Sequence, residues 1–299
     1  MSSLPAHYPF RSESSQEAYL EAYNALIDLA PVKYSSHNIQ TSYGTTHVNI
    51  TGSATAPPLI LLHGGQATSG LWALNVGAFS QSYCIYAIDT IGDFGKSVMT
   101  QKIKGIEDYI IWLLEVMKGL GIEKASFVAM SYGGWITSNL ALHYPEVVHR
   151  AALISPAATF QPLSWSFLWR AILMLLPVRR FTENLYKWSA IPEFWDNNSA
   201  YREAMSALIE QAWRGRRHFK NMGFIPPATL SDEELESIQV PLLLLLGNQE
   251  KIYDTQKAIA RAERFVPLIE TEVISPASHD LILAQAEAVN QRILSFLAG

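Results

Sequence analysis

The residues best suited to chemistry in this chain are a serine set between an apolar run and two glycines. Phe127-Val128-Ala129-Met130 reads as a buried strand, Ser131 follows it, and Tyr132-Gly133-Gly134 opens a helical pattern. A strand that turns so sharply into a helix needs small neighbours and thrusts the seryl oxygen out above a sheet, where it can act as a nucleophile. The pattern is G-x-S-x-G with Ala129 at the first small position, one methyl larger than glycine. A serine that merely caps a helix would occupy the same place, so the nucleophile reading depends on partners found elsewhere.

A seryl hydroxyl needs a base. Among the eight histidines, His279 stands out: it follows the last apolar run, in Ile274-Ser275-Pro276-Ala277-Ser278-His279-Asp280, just ahead of a C-terminal helical pattern. The acid that orients such an imidazole and stabilises its charged form is expected after the preceding strand, where Glu250 is the first carboxylate beyond Leu242–Leu246. Asp254 is the rival. The oxyanion of an acyl-transfer intermediate needs backbone donors. His63-Gly64-Gly65-Gln66 follows another apolar run, and its glycines allow close approach to a substrate. The N–H groups of Gly65 and Tyr132 are assigned to this oxyanion hole, and His63 to a structural hydrogen bond rather than to proton transfer.

These residues can meet only if the elements carrying them share one edge. Short apolar runs at 58–62, 83–88, 125–130, 151–154, 240–246 and 271–274 read as buried strands. Helical patterns separate them at 106–120, 134–143, 255–265 and 281–297, and a hairpin is expected over 33–51. Continuous apolar strands alternating with amphipathic helices predict an α/β fold, a mostly parallel eight-stranded sheet with helices on both faces. In such sheets the loops after the strand C-termini converge on one crevice. The interval from Ser155 to Val240 is too long for an ordinary connection. It carries five of the eight tryptophans and reads as a helical cap inserted before the last two strands. The expected division is a core of residues 1–158 and 238–299, with 1–32 as an N-terminal helical extension, and a cap or lid over 159–237.

At this point the chain resembles a known family. His63-Gly64-Gly65, the stretch Asp89 to Ser97, the serine turn and Ser278-His279 look like an α/β-hydrolase, and the order Ser131, Glu250, His279 is the one that family uses. The stretches Val240–Asp254 and Ala151–Ala157 are similar to the Bacillus carboxylesterases that hydrolyse naproxen esters. The likeness runs from about residue 17 to the end and is weakest in the cap. It implies a carboxylesterase without a cofactor. Ser278 stands where a glycine commonly precedes the histidine, and Glu250 where aspartate is commoner.

Composition narrows the rest. With 299 residues, 49% of them hydrophobic, and a net charge of −5, the chain can bury a large core and has no general attraction to nucleic acid or anionic membrane. One cysteine, Cys84, excludes an intramolecular disulfide and reads as a buried thiol. No secretory signal and no apolar stretch long enough to span a bilayer is visible, so a cytoplasmic location is expected. Gly95-Lys96-Ser97 imitates a phosphate loop, but Thr90 stands where its first glycine belongs. No metal-ligand spacing appears. The basic run Arg214–His218 reads as a solvated face, and Trp72, Trp165, Trp169 and Trp188 are candidates to line an apolar substrate pocket.

The expected partner is a small-molecule ester, uncharged and apolar, with the oligomeric state open. Three alternatives remain: a proline iminopeptidase holding an amine with cap acids such as Glu183, Glu193, Asp196, Glu203 or Glu210, a C–C bond hydrolase, or a slow-turnover receptor with an intact triad.

Overall fold

The computed structural model describes residues 8–220 and 223–299. The first seven residues of the expected N-terminal extension, His7 among them, and Asn221 and Met222 of the expected cap lie outside the described residues.

The described residues form one sheet of nine strands: β1 Ser35–Thr41, β2 Gly44–Thr51, β3 Pro58–Leu62, β4 Cys84–Ile88, β5 Val98–Met99, β6 Ala125–Met130, β7 Val148–Ile154, β8 Leu242–Gly247 and β9 Ile269–Ile274. Their order is β1-β2-β4-β3-β6-β7-β8-β9, with β5 paired to β2. From β4 to β9 every pairing is parallel, and β1, β2 and β5 are antiparallel additions. The ninth strand is β5. At two residues it has no periodicity to read, and its pairing to Gly44 and Thr45 is decided in three dimensions.

The apolar runs become central strands because each must fill two cores. Along β8, Leu242, Leu244 and Leu246 enter one cluster while Leu243 and Leu245 enter the other. β6 divides likewise, with Phe127 and Ala129 on one face and Val128 and Met130 on the opposite face. Alternation at period two sends neighbours to opposite faces, so a strand covered on both sides reads as unbroken apolar sequence. Each fully buried leucine contributes roughly 1.5–3 kcal/mol. Helices Ile106–Gly119, Tyr132–His143 and Thr255–Phe265 fall where their patterns put them. The C-terminal pattern is two helices, Leu281–Ala284 and Ala286–Ala298, parted at Gln285, whose amide reaches back to the Pro276 carbonyl at 2.9 Å.

Between β7 and β8 the chain forms helices Trp165–Met174, Arg179–Trp188, Pro192–Asn197, Ser199–His218 and Asp232–Glu236. The long helix Ser199–His218 lies on the N-terminal helix Glu13–Ile27. Gln211 donates to the Tyr19 hydroxyl at 3.0 Å, and Arg214 to the Ala18 carbonyl at 2.7 Å. Because β3, β6, β8 and β9 run parallel, the loops after them, with His63–Gln66, Ser131, Glu250 and His279, leave the sheet at a common edge.

Candidate active site

Ser131 occupies a backbone conformation few residues adopt, with φ 50° and ψ −113°. Such a conformation costs of the order of 1–3 kcal/mol and persists only where its surroundings over-determine it. Here they do: the Ser131 N–H donates to the Ile154 carbonyl at 2.9 Å, and its own carbonyl accepts from Ala157 and Trp135 at 2.9 and 3.1 Å. Gly133 lies so close to β3 that a β-carbon there would sit 2.4 Å from the Leu62 carbonyl oxygen. Ala129 is fully buried in the strand, so its extra methyl is accommodated. The helix starts at Tyr132, directly after the serine. Its first N–H therefore has no intrahelical acceptor.

His279 Nδ1 donates to Glu250 Oε2 at 3.0 Å. Glu250 Oε1 accepts the N–H groups of Lys251 and Ile252 at 2.8 and 3.1 Å, and its side chain is buried. Burial alone would raise the Glu250 carboxyl, but the charge and hydrogen bond of His279 outweigh it and hold the carboxyl below the ordinary glutamate range. For His279, burial favours the neutral ring, yet Glu250 prevails and raises it above the ordinary imidazole value. Asp254 is elsewhere occupied. It caps the helix Thr255–Phe265, accepting the Lys257 N–H at 3.0 Å.

The loop after β3 is pinned by His63. The Thr90 N–H donates to His63 Nε2 at 3.0 Å, so Nδ1 carries the proton and gives it to the Gly64 carbonyl at 2.8 Å. Both ring nitrogens are thereby committed, and the ring is structural. A β-carbon at Gly64 would lie 3.3 Å from the Ser131 β-carbon, which sets this loop against the serine turn.

Sequence reasoning missed what closes over this loop. Phe224 stacks on Tyr132, ring centroids 4.5 Å apart, and its edge lies 3.5 Å from where a Gly65 β-carbon would be. The stretch 223–228 is held there by the serine helix and its neighbour. Tyr132 donates to the Ile225 carbonyl at 2.9 Å, Trp135 to that of Ala228 at 3.0 Å and Tyr109 to that of Gly223 at 3.2 Å. No periodicity marks such a stretch; the aromatic Tyr132 and Trp135 beside the serine were its only trace.

The tryptophan candidates separate. Trp72 is fully buried in the core beside Val76 and Phe79, without surface to offer a ligand, and Trp165 is 84% exposed. Both depart from the pocket expectation, because side-chain direction cannot be read from composition. Trp169 and Trp188 line a cavity of about 300 Å³ with Arg170 and Phe181, between two helices of the insert. The basic run also departs from a uniformly solvated face. Arg217 is exposed, but Arg214 pairs with Glu210 and Glu21, and Arg216 turns inward to the Gln66 side chain at 2.9 Å.

The insert is tied to the loops that carry Glu250 and His279. Ser164 donates through its N–H to the Ile252 carbonyl at 2.7 Å, Lys251 to the Trp188 carbonyl at 2.7 Å, and Tyr201 to Asp280 Oδ2 at 2.6 Å. Among the described residues no cluster suited to a metal ion occurs, and no helix is long and apolar enough to cross a membrane.

A family profile described as the alpha/beta hydrolase family matches residues 59–292, from β3 to the C-terminal helix. The chain belongs to that family. It is 39% identical over 279 residues to the uncharacterized carboxylesterase nap of Bacillus subtilis (strain 168), covering 93% of this chain and 91% of that one. It is 36% identical to carboxylesterase YbfK of the same strain, covering 97% of each. The crystal structure of naproxen esterase (carboxylesterase NP) from Bacillus subtilis superposes with a TM-score of 0.87 at 36% identity, over 96% of this chain and 99% of that one. The fold and the resemblance expected from the sequence are those found.

Proposed function

We propose that this ester hydrolase acts on uncharged, apolar carboxylic esters through an acyl-enzyme formed on Ser131, with His279 as base and Glu250 as its orienting acid. The observation that carries the reading is the His279–Glu250 hydrogen bond, in loops leaving the same sheet edge as the Ser131 turn. With Nδ1 held by Glu250, Nε2 is the nitrogen left to take the Ser131 proton as Oγ attacks the ester carbonyl. The carbonyl oxygen becomes an oxyanion, which the N–H groups of Gly65 and Tyr132 would stabilise. Collapse breaks the bond to the alkoxy group, and His279 returns the proton to the departing alcohol. Water, giving its proton to His279, then attacks the acyl group; the bond to Ser131 Oγ breaks, His279 returns the proton to that oxygen, and the acid leaves. No cofactor enters these steps.

Two features support an uncharged, apolar substrate. Phe224 sets the apolar edge of its ring beside Gly65. The acids that could hold an amine are otherwise placed: Glu193, Asp196 and Glu203 are exposed, Glu183 pairs with Arg179, and Glu210 with Arg179 and Arg214. That argues against the iminopeptidase alternative. The insert over 159–237 is read as a cap, since its ties run to the loops bearing Glu250 and His279.

The test compares short p-nitrophenyl esters with prolyl-naphthylamide, for wild type and Ser131→Ala. Steady turnover of the esters alone, lost with Ser131, is expected. Preference for the amide, or a single burst without a steady state, would replace the reading by the iminopeptidase or the receptor.

A further inference from the structure

Gly65 lies in a turn closed by the Ala67 N–H donating to the Gly64 carbonyl at 3.2 Å. The next residue, Gln66, has φ 64°, a left-handed conformation that a residue with a side chain adopts at a cost. Something must hold it. On one side of Gly65, His63 takes the Gly64 carbonyl. On the other, Asp93 Oδ2 accepts the Gln66 N–H at 2.8 Å. Its second oxygen accepts the N–H of Phe94 at 2.7 Å. Were Asp93 only a local turn residue, the bond to Phe94 would suffice. Instead a buried carboxylate crosses to a separate loop and grips the peptide that follows Gly65.

Burying that charge is costly. Desolvation pushes the Asp93 carboxyl above the ordinary aspartate range, with His63, then the two N–H groups, and least Arg216 pulling the other way. Arg216 comes from the last turn of the helix Ser199–His218 and donates to Gln66 Oε1 at 2.9 Å. One residue of the turn is thus held through its backbone by Asp93 and through its side chain by a cation from the insert. A negative charge beside a developing oxyanion would oppose it, and Arg216 offsets a small part of that charge.

We propose that Asp93 is a positioning residue for the oxyanion turn, holding the Gly65 N–H in place through Gln66, and that Arg216 couples the insert to the same turn. This rests on the assignment of Gly65 as an oxyanion donor. It identifies no new contact with substrate: Asp93 acts through the turn.

An amide oxygen at position 93 can serve only one of the two N–H groups, so Asp93→Asn breaks one bond of the pair. Removing an oxyanion donor outright costs about 10²–10³ in kcat, and displacing one should cost part of that. Asp93→Asn is expected to lower kcat per active site, titrated with a fluorophosphonate, by about 10–100-fold with KM little changed. Affinity for a trifluoromethyl ketone analogue, which binds as the oxyanion, should fall by the same factor, and affinity for the product acid should not. Asp93→Ser, with a single acceptor oxygen, is the second variant should the first not fold. Gln66→Met and Arg216→Met should each lower kcat, and the double variant no further than either alone.

If titrated sites become fewer while each keeps wild-type kcat and analogue affinity, Asp93 is merely structural and the proposal is overturned. Additive effects of the Gln66 and Arg216 changes would overturn its Arg216 half. Ser131→Ala separates the levels. Activity surviving that change removes the reading beneath, whereas its loss beside an unaffected Asp93→Asn removes only this inference.

Discussion

His279 Nδ1 and Glu250 Oε2 lie 3.0 Å apart, while Asp254, four residues beyond Glu250, spends its carboxylate on the Lys257 N–H of its own helix. The two acids therefore predict opposite phenotypes. Glu250→Gln should lower kcat by orders of magnitude, disabling such an acid costing about 10⁴-fold where measured. Asp254→Ala should leave kcat near wild type and cost about 1 kcal/mol of stability for the lost cap. Ester kinetics with thermal unfolding of both variants checks this, and the reverse pattern would transfer the acid's role to Asp254.

The proposed base works only when neutral, and Glu250 raises the pH at which His279 loses its proton. kcat/KM should therefore rise with pH through a step lying above the ordinary imidazole value of about 6.5. In Glu250→Gln that step should move to lower pH, since burial then acts on the ring against only the weaker pull of Asp280. A pH–rate profile of each protein decides; a wild-type step at or below the ordinary value contradicts the arrangement.

Gly133→Ala places a β-carbon against the Leu62 and His63 carbonyl oxygens, 2.4 and 2.7 Å away. β3 cannot yield without disturbing its neighbours, so a loss of about 1–3 kcal/mol is expected from denaturant unfolding. Activity should fall further, about 10²-fold, because a shift near 1 Å at Ser131 spoils attack. Wild-type stability in this variant would show that the turn has slack.

Tyr132→Phe keeps the backbone N–H of the proposed oxyanion hole and removes the hydroxyl that bonds Ile225 at 2.9 and 3.3 Å. About 1 kcal/mol should be lost. Amide hydrogen exchange over 223–228 should quicken, with kcat on a small ester nearly unchanged. Unaltered exchange would mean that Trp135 and Tyr109 hold the stretch without Tyr132.

What the linear chain determined by itself is whatever rests on local pattern. The double burial of β6 and β8 writes unbroken apolar runs, and the serine turn demands small neighbours such as Gly133. The parallel order sends the loops of Ser131, Glu250 and His279 to one edge. Those elements and residues were legible because their physics acts within a few positions. Tertiary structure alone decided the rest: that the rival Asp254 is spent on its own helix, that Trp72 is core and Trp165 is in solvent, that Phe224 covers Gly65, and that Asp93 and Arg216 converge on Gln66. Each of these depends on which way a side chain points and on what a distant segment brings to it. Residues 93, 66 and 216 carry no shared period, so only packing of the insert on the core could bring them together.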